Sequence, residues 1–479
     1  MAISAARPNI VTLQILHTND VHSHVEMLPY IATAMKQAQA RCPDTTLIVD
    51  AGDQLEGTVA GDLDHGAPMA RIMGAMGYQY VTRGNHDWKW GLSALNEWDA
   101  QSKAHVVLAN VRNAEGTLLP NTKPFEVAKV GGVSVGILGL LTTDTKNVAS
   151  NEAMAGAQFD DEAQTLAKYE PQLHSDVEMV LDHCGKAADE KMATYQPANH
   201  GPLFFVGGHS HDTIDKPDVV SGNPIVQAGC YGAELGALQI DYDTQQHKVV
   251  GYRHEIIPID PKSMQADPAI ASMVAKYQAQ ADAKMSKVVA TLPAPLTRSG
   301  QHDSTLGNMV TDAMRQAVGA DVAFINSDGL RSDLPSGQVN LQNVYNVFPF
   351  ECKLMKGTLT GQDIQAAMEH SATFRPDPDN WHASTMQVSG MTVHYDHSKP
   401  EGQRVTSIQV NGEPLDPKKS YTVAMRDYLA EGKLGYTMFG KPDYQPTHID
   451  LFDAMSAYLA HPSSPIPAPT GRIIDDTPK

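Results

Sequence analysis

Five short segments carry side chains of the types that bind divalent metal ions in hydrolytic enzymes. In chain order they are Asp20-Val21-His22, Gly52-Asp53, Gly84-Asn85-His86-Asp87, His183 and Gly208-His209-Ser210-His211. One carboxylate can bridge two cations, while imidazole nitrogens and an amide oxygen complete the coordination. A further histidine that stays off the metals can transfer protons. Together the segments favour a dinuclear metal site with hydrolytic chemistry.

Mainly apolar runs precede three of these segments. Residues 13–16, 47–49 and 203–206 end shortly before Asp20, Asp53 and His209. Short apolar runs are typical of buried strands, and ligands at their carboxyl ends are typical of an open α/β sheet. A chain with 20 histidines places some beside carboxylates by chance. Five segments in order nevertheless favour the metal site over a purely structural interpretation.

The series resembles the calcineurin-like metallophosphoesterases, and neighbouring residues narrow the resemblance to the 5'-nucleotidase family within them. Residues 15–20 resemble that family's opening strand, residues 227–229 its loop after the site, and the match continues to residues 471–473. The resemblance implies an α/β fold, α+β overall. It comprises an N-terminal four-layer metallophosphoesterase domain, a linker helix and a C-terminal α/β substrate-binding domain.

The resemblance also implies two divalent metal ions and leaves Mn, Zn, Mg, Co and Fe open as their identity. The implied ligands are Asp20, His22 and His211 for one ion, Asn85, His183 and His209 for the other, and Asp53 as the bridge. The implied catalytic residues are His86 and Asp87, with His86 protonating the leaving group or stabilising the transition state. A bridging carboxylate and a separate acid agree with the chemistry of phosphoryl transfer.

The chain is long enough for two domains. We expect the metallophosphoesterase domain at residues 1–261, the linker helix at 262–290 and the substrate-binding domain at 291–479. Asp267-Pro268 is a helix start signal, and Ile270, Met273, Val274 and Tyr277 then recur with helical spacing.

The C-terminal part carries the residues that the resemblance assigns to the substrate. Two aromatic rings, Phe350 and Tyr428, would sandwich a base, and such stacking contributes about 1–3 kcal/mol per base. Asn326 and Arg331 would contact polar groups, since an arginine can fork onto phosphate or ribose oxygens. Arg298 is a third candidate contact. The implied substrates are nucleoside 5'-monophosphates, hydrolysed to nucleoside and phosphate.

This chain departs from the family pattern in the substrate domain. Leu434 stands where an aspartate usually accepts hydrogen bonds from the ribose hydroxyls, and leucine cannot accept any. Asp328 replaces a glycine in the substrate loop, while Glu351 and Cys352 replace a small and an amide residue. These changes favour an alternative in which the phosphate ester is a cyclic nucleotide, a nucleotide sugar or a compound without ribose.

A further departure concerns the predicted catalytic histidine. The family places an acidic partner three positions after it, where this chain has Lys89. A nearby ammonium predicts a lowered pKa for His86, and slow turnover unless another carboxylate takes the partner role. This motivates a third, less favoured hypothesis, a catalytically weak nucleotide-binding protein that retains its metals.

Composition restricts the partners. The chain has 479 residues, 42% hydrophobic and 19% charged, which is typical of a globular protein. A net charge of −19 argues against nucleic acid as a partner. We expect a small phosphate ester and no membrane span, and the four scattered cysteines neither demand disulfides nor indicate a zinc site. Residues 1–12 lack a signal core, and the compartment stays open: cytoplasmic as the sequence is written, periplasmic or secreted if a leader was removed. Oligomeric state stays open.

Overall fold

The structure is a computed structural model that describes residues 9–148, 151–198, 201–300, 302–349, 352–374, 385–441, 443–462, 466 and 470–478. It divides into two compact units, residues 1–281 and 282–479. Helix Pro268–Met285 runs through the point of division, so the boundaries expected after residues 261 and 290 stay a prediction. Among the described residues, no helix combines the length and the apolar character that crossing a membrane requires.

The first unit alternates strands and helices. Its strands are β1 (Ile10–Thr18), β2 (Thr46–Asp50), β3 (Tyr80–Val81), β4 (His105–Val107), β5 (Val111–Arg112), β6 (Thr122–Lys123), β7 (Phe125–Val130), β8 (Val133–Leu141), β9 (Gln158–Phe159), β10 (Val177–His183), β11 (Leu203–Val206), β12 (Asp218–Val220), β13 (Asn223–Val226), β14 (Glu234–Asp243) and β15 (Lys248–Pro258). Its helices are α1 (Leu28–Gln39), α2 (Val59–Met76), α3 (Gly91–Ser102), α4 (Thr145–Val148), α5 (Asn151–Met154), α6 (Glu162–Tyr169), α7 (Lys186–Met192) and α8 (Pro268–Met285). Short 3-10 helices cover Val25–Met27, His86–Trp90 and Glu170–Gln172.

Two sheets of the first unit face each other across an apolar layer. Their strand orders are β15-β14-β1-β2-β3-β4-β6 and β12-β13-β11-β10-β8-β7. Leu13 of β1 and Met179 of β10 meet in the layer between them. Successive strand side chains point to opposite faces, so Leu16 packs outward with α1 and α2, and Phe205 packs outward with Leu166 of α6. Helices therefore cover both sheets, and the predicted four-layer architecture is confirmed.

The parallel strands of the two sheets end where the predicted ligands begin. In one sheet β1, β2 and β3 run parallel, and in the other β8, β10 and β11 run parallel. Their apolar runs coincide with the predicted strands at residues 13–16, 47–49 and 203–206. The loops after β1, β2, β3 and β11, together with the last residue of β10, carry the segments that the sequence singled out.

Helix α8 begins where the sequence predicted. One carboxylate oxygen of Asp267 accepts the backbone N–H groups of Ala269 and Ile270, each at 3.1 Å. These bonds satisfy donors that the first helical turn leaves without a partner. Ile270, Val274 and Tyr277 are buried in the core of the first unit, so the apolar stripe of this helix packs inward there.

The second unit contains two larger sheets and a short ribbon. Its strands are β16 (Val288–Leu292), β17 (Val322–Asn326), β18 (Gly337–Asn340), β19 (Lys353–Thr360), β20 (Met386–Ser389), β21 (Met391–Tyr395), β22 (Val405–Val410), β23 (Glu413–Pro414), β24 (Ser420–Arg426), β25 (Gln445–Asp450) and β26 (Ile473–Asp475). Its helices are α9 (Thr305–Val318), α10 (Leu341–Val347), α11 (Gly361–Ser371), α12 (Asp427–Ala430) and α13 (Leu451–Ala460). The strand orders are β20-β17-β24-β19-β25 and β23-β22-β21-β26, and β16 pairs with β18.

The central sheet of the second unit is covered on both faces. Ile325 of β17 packs with Met309 of α9 on one face, and its neighbour Phe324 packs with Ile364 of α11 on the other. Helix α9 contains the whole segment at residues 305–314 that the sequence matched to the first helix of a substrate-binding domain.

A bidentate ion pair fixes the C-terminal strand of the second unit. Arg472, just before β26, donates to both carboxylate oxygens of Asp312 on α9, at 2.9 and 2.8 Å. Its side chain is 19% exposed and that of Asp312 is 7% exposed. Breaking one partner of a buried pair costs about 3–5 kcal/mol because the other charge is left without compensation.

We expect Arg472→Met to lower the free energy of unfolding by about 2–3 kcal/mol, less than for a fully buried pair because the guanidinium keeps some contact with water. Chemical denaturation measures this change. Lys441→Met is the matched control: its 3.0 Å pair with Asp363 involves a lysine that is 40% exposed, and such pairs contribute about 0–1 kcal/mol. Equal losses in both variants would contradict the prediction.

Candidate metal centre

Five predicted ligands have backbone conformations that non-glycine residues rarely adopt. The φ angles are +52° at Asp20, +46° at His22, +53° at Asp53, +81° at His209 and +59° at His211. Such conformations cost free energy, and they cluster at sites where function requires a particular side-chain direction. The loops at the carboxyl ends of the strands are thus shaped to bring these side chains together.

Asp20, His22 and His211 form the first cluster in which ligand atoms lie within 4.8 Å of one another. The Oδ1 atom of Asp20 is 3.2 Å from Nε2 of His211 and 4.0 Å from Nε2 of His22. The other ring nitrogen of His22 faces the backbone carbonyls of Leu55 and Glu56, at 3.2 and 3.1 Å. A proton on that nitrogen leaves Nε2 as the atom that can bind a cation.

Asp20, Asp53 and His183 form the second such cluster. Nδ1 of His183 lies 2.7 Å from the carbonyl oxygen of Ala51, which orients the ring. Its Nε2 is buried without a hydrogen-bond partner and lies 3.2 Å from Oδ2 of Asp53. That same carboxylate oxygen is 3.6 Å from Nε2 of His22. Asp53 therefore stands between the two clusters, and its role as a bridging ligand stays a prediction.

The two remaining predicted ligands lie beside these clusters. His209 packs against His183, with ring centroids 5.2 Å apart, and its backbone N–H donates to Oδ2 of Asp20 at 2.9 Å. Asn85 is 3% exposed, and its Oδ1 atom is buried without a hydrogen-bond partner. A buried amide oxygen of this kind is costly unless something binds it. The coordination by Asn85 and His209 stays a prediction.

The charges of the clusters favour cations. Burial alone would raise the pKa of Asp53, but His183 and His86 outweigh it and hold that pKa far below its usual value. Burial lowers the pKa of His183, but Asp53 and Asp20 raise it to about 10. Two buried carboxylates that lie this close to each other need positive charge beside them. Oxygen and imidazole donors together suit divalent Mn, Fe, Co or Zn.

Glycines beside the ligands allow this close packing. A Cβ atom on Gly84 would lie 2.0 Å from Oδ1 of Asp53, and one on Gly208 would lie 2.8 Å from Nδ1 of His183. Glycine is therefore needed at both positions, because the backbone of Gly84 and Gly208 directly approaches the side chains of Asp53 and His183.

His86 lies at the edge of the clusters. Its backbone N–H donates to Oδ1 of Asp53 at 2.8 Å, and its ring centroid is 5.0 Å from that of His22. Its Nδ1 atom lies 2.5 Å from Oε2 of Glu56. The His86 side chain is 36% exposed, so it can meet a substrate while remaining next to the metal ligands.

The expected effect of Lys89 on His86 is wrong. Burial lowers the pKa of His86, but Asp53 and Glu56 outweigh it and raise that pKa to about 9. Lys89 is 3.4 Å from the carboxylate of Asp62 and 3.8 Å from that of Glu56. Its ammonium charge is compensated there. The sequence missed Glu56 because 30 residues separate it from His86 and no spacing rule connects the two.

Asp87 occupies a structural position. Its carboxylate accepts the backbone N–H groups of Gly84 at 2.7 Å, Leu55 at 3.0 Å and Asp53 at 3.1 Å. The side chain is 1% exposed. These bonds join the loop after β2 to the turn after β3 and thereby fix Asp53. A catalytic role for Asp87 stays a prediction, and the bonds identify a bracing role.

In the second unit, an arginine that sequence reasoning missed joins two predicted substrate residues. Arg426 donates to Oδ1 of Asn326 at 3.3 Å, and its guanidinium lies 4.8 Å from the ring centroid of Tyr428 and 5.2 Å from that of Phe348. The predicted platform residue Phe350 lies outside the described residues. Arginine stacked on an aromatic ring is a common device for binding planar or anionic groups.

The other predicted cations are close to the same loop. Arg298 donates to the carbonyl of Leu330 at 3.1 Å and pairs with Asp333 at 3.1 Å. Arg331 follows Leu330 directly and is exposed. Asp328 accepts a hydrogen bond from the side-chain amide of Asn326 at 2.6 Å. The loop thus gathers polar groups of both signs, and the substrate roles of Asn326, Arg331, Tyr428 and Arg298 stay predictions.

Two family models match the chain. The model for calcineurin-like phosphoesterases matches residues 13–213, and the model for the 5'-nucleotidase C-terminal domain matches residues 285–441. The first match contains every predicted metal ligand, and the second contains every predicted substrate residue.

Similar proteins cover nearly the whole chain. A snake venom 5'-nucleotidase from Naja atra is 26% identical, over 96% of this chain and 98% of its own. The solved structure of a 5'-nucleotidase precursor from Thermus thermophilus is 26% identical with a TM-score of 0.68, over 98% of this chain and 100% of its own. A Staphylococcus aureus protein solved in complex with alpha-ketoglutarate has a TM-score of 0.80 at 19% identity, over 97% and 100% of the two chains. At that identity the likeness concerns the fold alone.

We expect Asp53→Asn to abolish turnover and to lower the metal content, because the bridging position then has a neutral amide with one acceptor oxygen instead of a carboxylate with two. Metal analysis of the purified variant by mass spectrometry measures the loss. Unchanged metal content in the variant would remove Asp53 from the bridging position.

We expect His86→Ala to lose turnover while keeping the metal content of the wild type. The imidazole faces Glu56 through Nδ1, and only the backbone N–H of His86, which alanine retains, reaches Asp53. The same metal analysis, paired with an activity assay, distinguishes the two residues. Loss of metal from His86→Ala would make His86 a ligand.

Proposed function

The chain belongs to the 5'-nucleotidase family of calcineurin-like metallophosphoesterases, and from this membership we infer that it hydrolyses nucleoside 5'-monophosphates to nucleoside and phosphate. The enzyme class, a metal-dependent phosphoric ester hydrolase, follows from the family. The observation that carries the inference for this chain is the grouping of the buried carboxylates of Asp20 and Asp53 with three histidines, at the carboxyl ends of the parallel strands of two mixed sheets. Few structural purposes require two buried carboxylates so close together.

We propose that two divalent ions bind there. Asp20, His22 and His211 hold one, His183 with Asn85 and His209 holds the other, and Asp53 bridges them. Such ions lower the pKa of a water molecule and offset the charge that develops on phosphoryl oxygens. The geometry supports the proposal through the orphaned Nε2 of His183 and Oδ1 of Asn85, which gain a partner if they coordinate.

His86 is proposed to protonate the leaving oxygen. Its side chain is partly exposed, adjoins His22 and faces Glu56 through Nδ1, so its Nε2 is available to give a proton to a leaving alkoxide. Asp87 supports this chemistry indirectly, because its carboxylate fixes the turn that carries both Asn85 and His86.

The second unit supplies the proposed nucleoside contacts. Tyr428 offers an aromatic face, and Asn326 and Arg426 offer hydrogen-bonding groups beside it. Stacking on such a face is tolerant of the base, because every base has a planar surface. We therefore expect modest discrimination among bases.

One observation favours a second candidate substrate, a phosphate ester that lacks ribose or presents it differently. Leu434 takes the place of the ribose acceptor, and its side chain is partly buried against the core of the second unit. Its carbonyl oxygen instead accepts a hydrogen bond from His370, at 3.0 Å. The weak-binding hypothesis loses one of its reasons, because Glu56 provides the carboxylate partner that Lys89 could not.

A phosphate-release assay tests the proposed function. With manganese present, AMP, UMP, UDP-glucose, cyclic nucleotides and simple phosphomonoesters are compared, and a chelator followed by metal readdition serves as the control. Release from AMP and UMP that the chelator abolishes is the expected result. Equal release from esters without a nucleoside would support the second candidate, and no release with any divalent metal would overturn both.

We expect this enzyme to discriminate poorly between AMP and 2'-deoxy-AMP. A site that hydrogen-bonds a substrate hydroxyl rejects an analogue lacking that hydroxyl, because the buried acceptor of the site is then left without a hydrogen bond. Leu434 has no side-chain acceptor, so loss of the hydroxyl should cost little. Leu434→Asp should raise kcat/KM for AMP by about tenfold or more, the effect of one hydrogen bond to a charged group. The backbone accepts this change, since φ is +56° at Leu434 and aspartate tolerates that conformation better than leucine.

Leu434→Ala is the matched control for this prediction, since it removes the same packing without adding an acceptor. Steady-state kinetics on both nucleotides give the comparison. A strong preference of the wild type for AMP over its deoxy analogue would show that a different residue binds the ribose.

A further inference from the structure

Glu56 contacts two predicted functional histidines through different atoms. Its carboxylate oxygen Oε2 lies 2.5 Å from Nδ1 of His86, and its backbone carbonyl lies 3.1 Å from Nδ1 of His22. The backbone of Glu56 is left-handed, with φ of +68°. This conformation is uncommon for glutamate, and here it accompanies contact of both groups with the histidines.

A network of hydrogen bonds holds Glu56 in this conformation. Asp62 accepts the backbone N–H groups of Glu56 at 3.1 Å and Gly57 at 3.3 Å, and also the hydroxyl of Ser23. Lys89 lies 3.4 Å from Asp62 and 3.8 Å from the Glu56 carboxylate. The Glu56 side chain is 22% exposed. The carboxylate is therefore fixed in position and has a compensating cation next to it.

We propose that Glu56 is the positioning residue of His86 and holds the Nδ1–H of its imidazole so that Nε2 faces the leaving oxygen. This inference rests on the proposed function. The 5'-nucleotidase family places the acidic partner of its catalytic histidine three positions after that histidine. In this chain that position holds Lys89, the carboxylate comes from the loop after β2, and the lysine pairs with it. A cation thus stands at the position of the family's acidic partner, and a carboxylate from a different loop contacts the histidine.

The proposed step is balanced in protons. The P–O bond to the leaving group breaks as a new P–O bond forms to water, and the proton on Nε2 of His86 moves to the leaving oxygen. The proton released by the attacking water restores His86. Throughout, Nδ1 keeps its hydrogen bond to Glu56, so the ring does not rotate between turnovers.

A second histidine–glutamate pair nearby provides the comparison. His24 and Glu26 are 2.6 Å apart, but the side chain of Glu26 is 51% exposed. Glu26 has no proposed role in catalysis or in the binding of metal or substrate. An exposed pair of this kind contributes little, so Glu26→Ala is the matched control for Glu56→Ala.

The experiment compares AMP with p-nitrophenyl phosphate. The nucleoside is a poor leaving group that needs a proton, whereas p-nitrophenolate leaves without one. We expect Glu56→Ala to lower kcat for AMP by about ten- to hundredfold, a part of what general acid catalysis contributes. We expect kcat for p-nitrophenyl phosphate to fall by less than about threefold, with KM for both substrates and the metal content unchanged. Glu56→Gln keeps an oxygen that can accept the Nδ1–H but removes the charge, so it should retain more kcat for AMP than Glu56→Ala does.

A double substitution completes the test. If Glu56 acts through His86, Glu56→Ala should cause no further loss in a His86→Ala background. Four results would each overturn the proposal. Glu56→Ala could lose kcat equally on both substrates or keep the wild-type kcat for AMP. The losses of Glu56→Ala and His86→Ala could be additive in the double variant, or Glu56→Gln could lose metal. Failure of the wild-type protein to hydrolyse either substrate would instead overturn the proposed function, and this inference with it.

Discussion

The candidate metal centre depends on two carboxylates that are almost completely buried. Asp20 is 0% and Asp53 1% exposed. Burial and the negative charge of Asp53 act to raise the pKa of Asp20, but His183 and His211 outweigh them and lower it. Removing two anions from water is very costly unless cations lie next to them. Histidines His22, His183 and His211 surround the pair, and the backbone N–H of His86 donates to it. The bonds of Asp87 hold the loop of Asp53 in place, and the surrounding histidines compensate the charge of the pair.

The four-layer fold provides this arrangement because its parallel strands end together. Ladders between β1, β2 and β3, and between β8, β10 and β11, align the carboxyl ends of strands whose side chains alternate between two apolar layers. Beyond those ends the chain leaves strand conformation, and left-handed residues turn the ligands inward. Asp87 and Asp62 then act as anchors, since each gathers backbone N–H groups from one or two loops. Neither anchor needs to touch a substrate to matter for turnover.

The sequence predicted the strands and the ligand segments because both follow local patterns. Apolar runs mark buried strands, and Gly84 and Gly208 are needed where a Cβ atom would collide with a ligand. It could not predict that Glu56 reaches His86, because the contact depends on a left-handed turn and on two loops that meet only in the folded protein. For the same reason the effect expected from Lys89 had the wrong sign. The lysine was identified correctly, but its partners Glu56 and Asp62 are not apparent from neighbouring positions.

The two units differ in how strictly their residues are constrained. In the first, Asp20 and Asp53 lie among histidines whose ring nitrogens approach them closely, so a single replacement disturbs several neighbouring charges at once. In the second, Leu434 and Asp328 depart from the family pattern at positions outside the strands of the sheet and outside α9 and α11, although the Leu434 side chain packs partly against one apolar layer. Substrate preference can therefore change through a few loop residues while the hydrolytic chemistry stays fixed. This is why the reaction can be inferred from the first unit with fewer alternatives than the substrate can from the second.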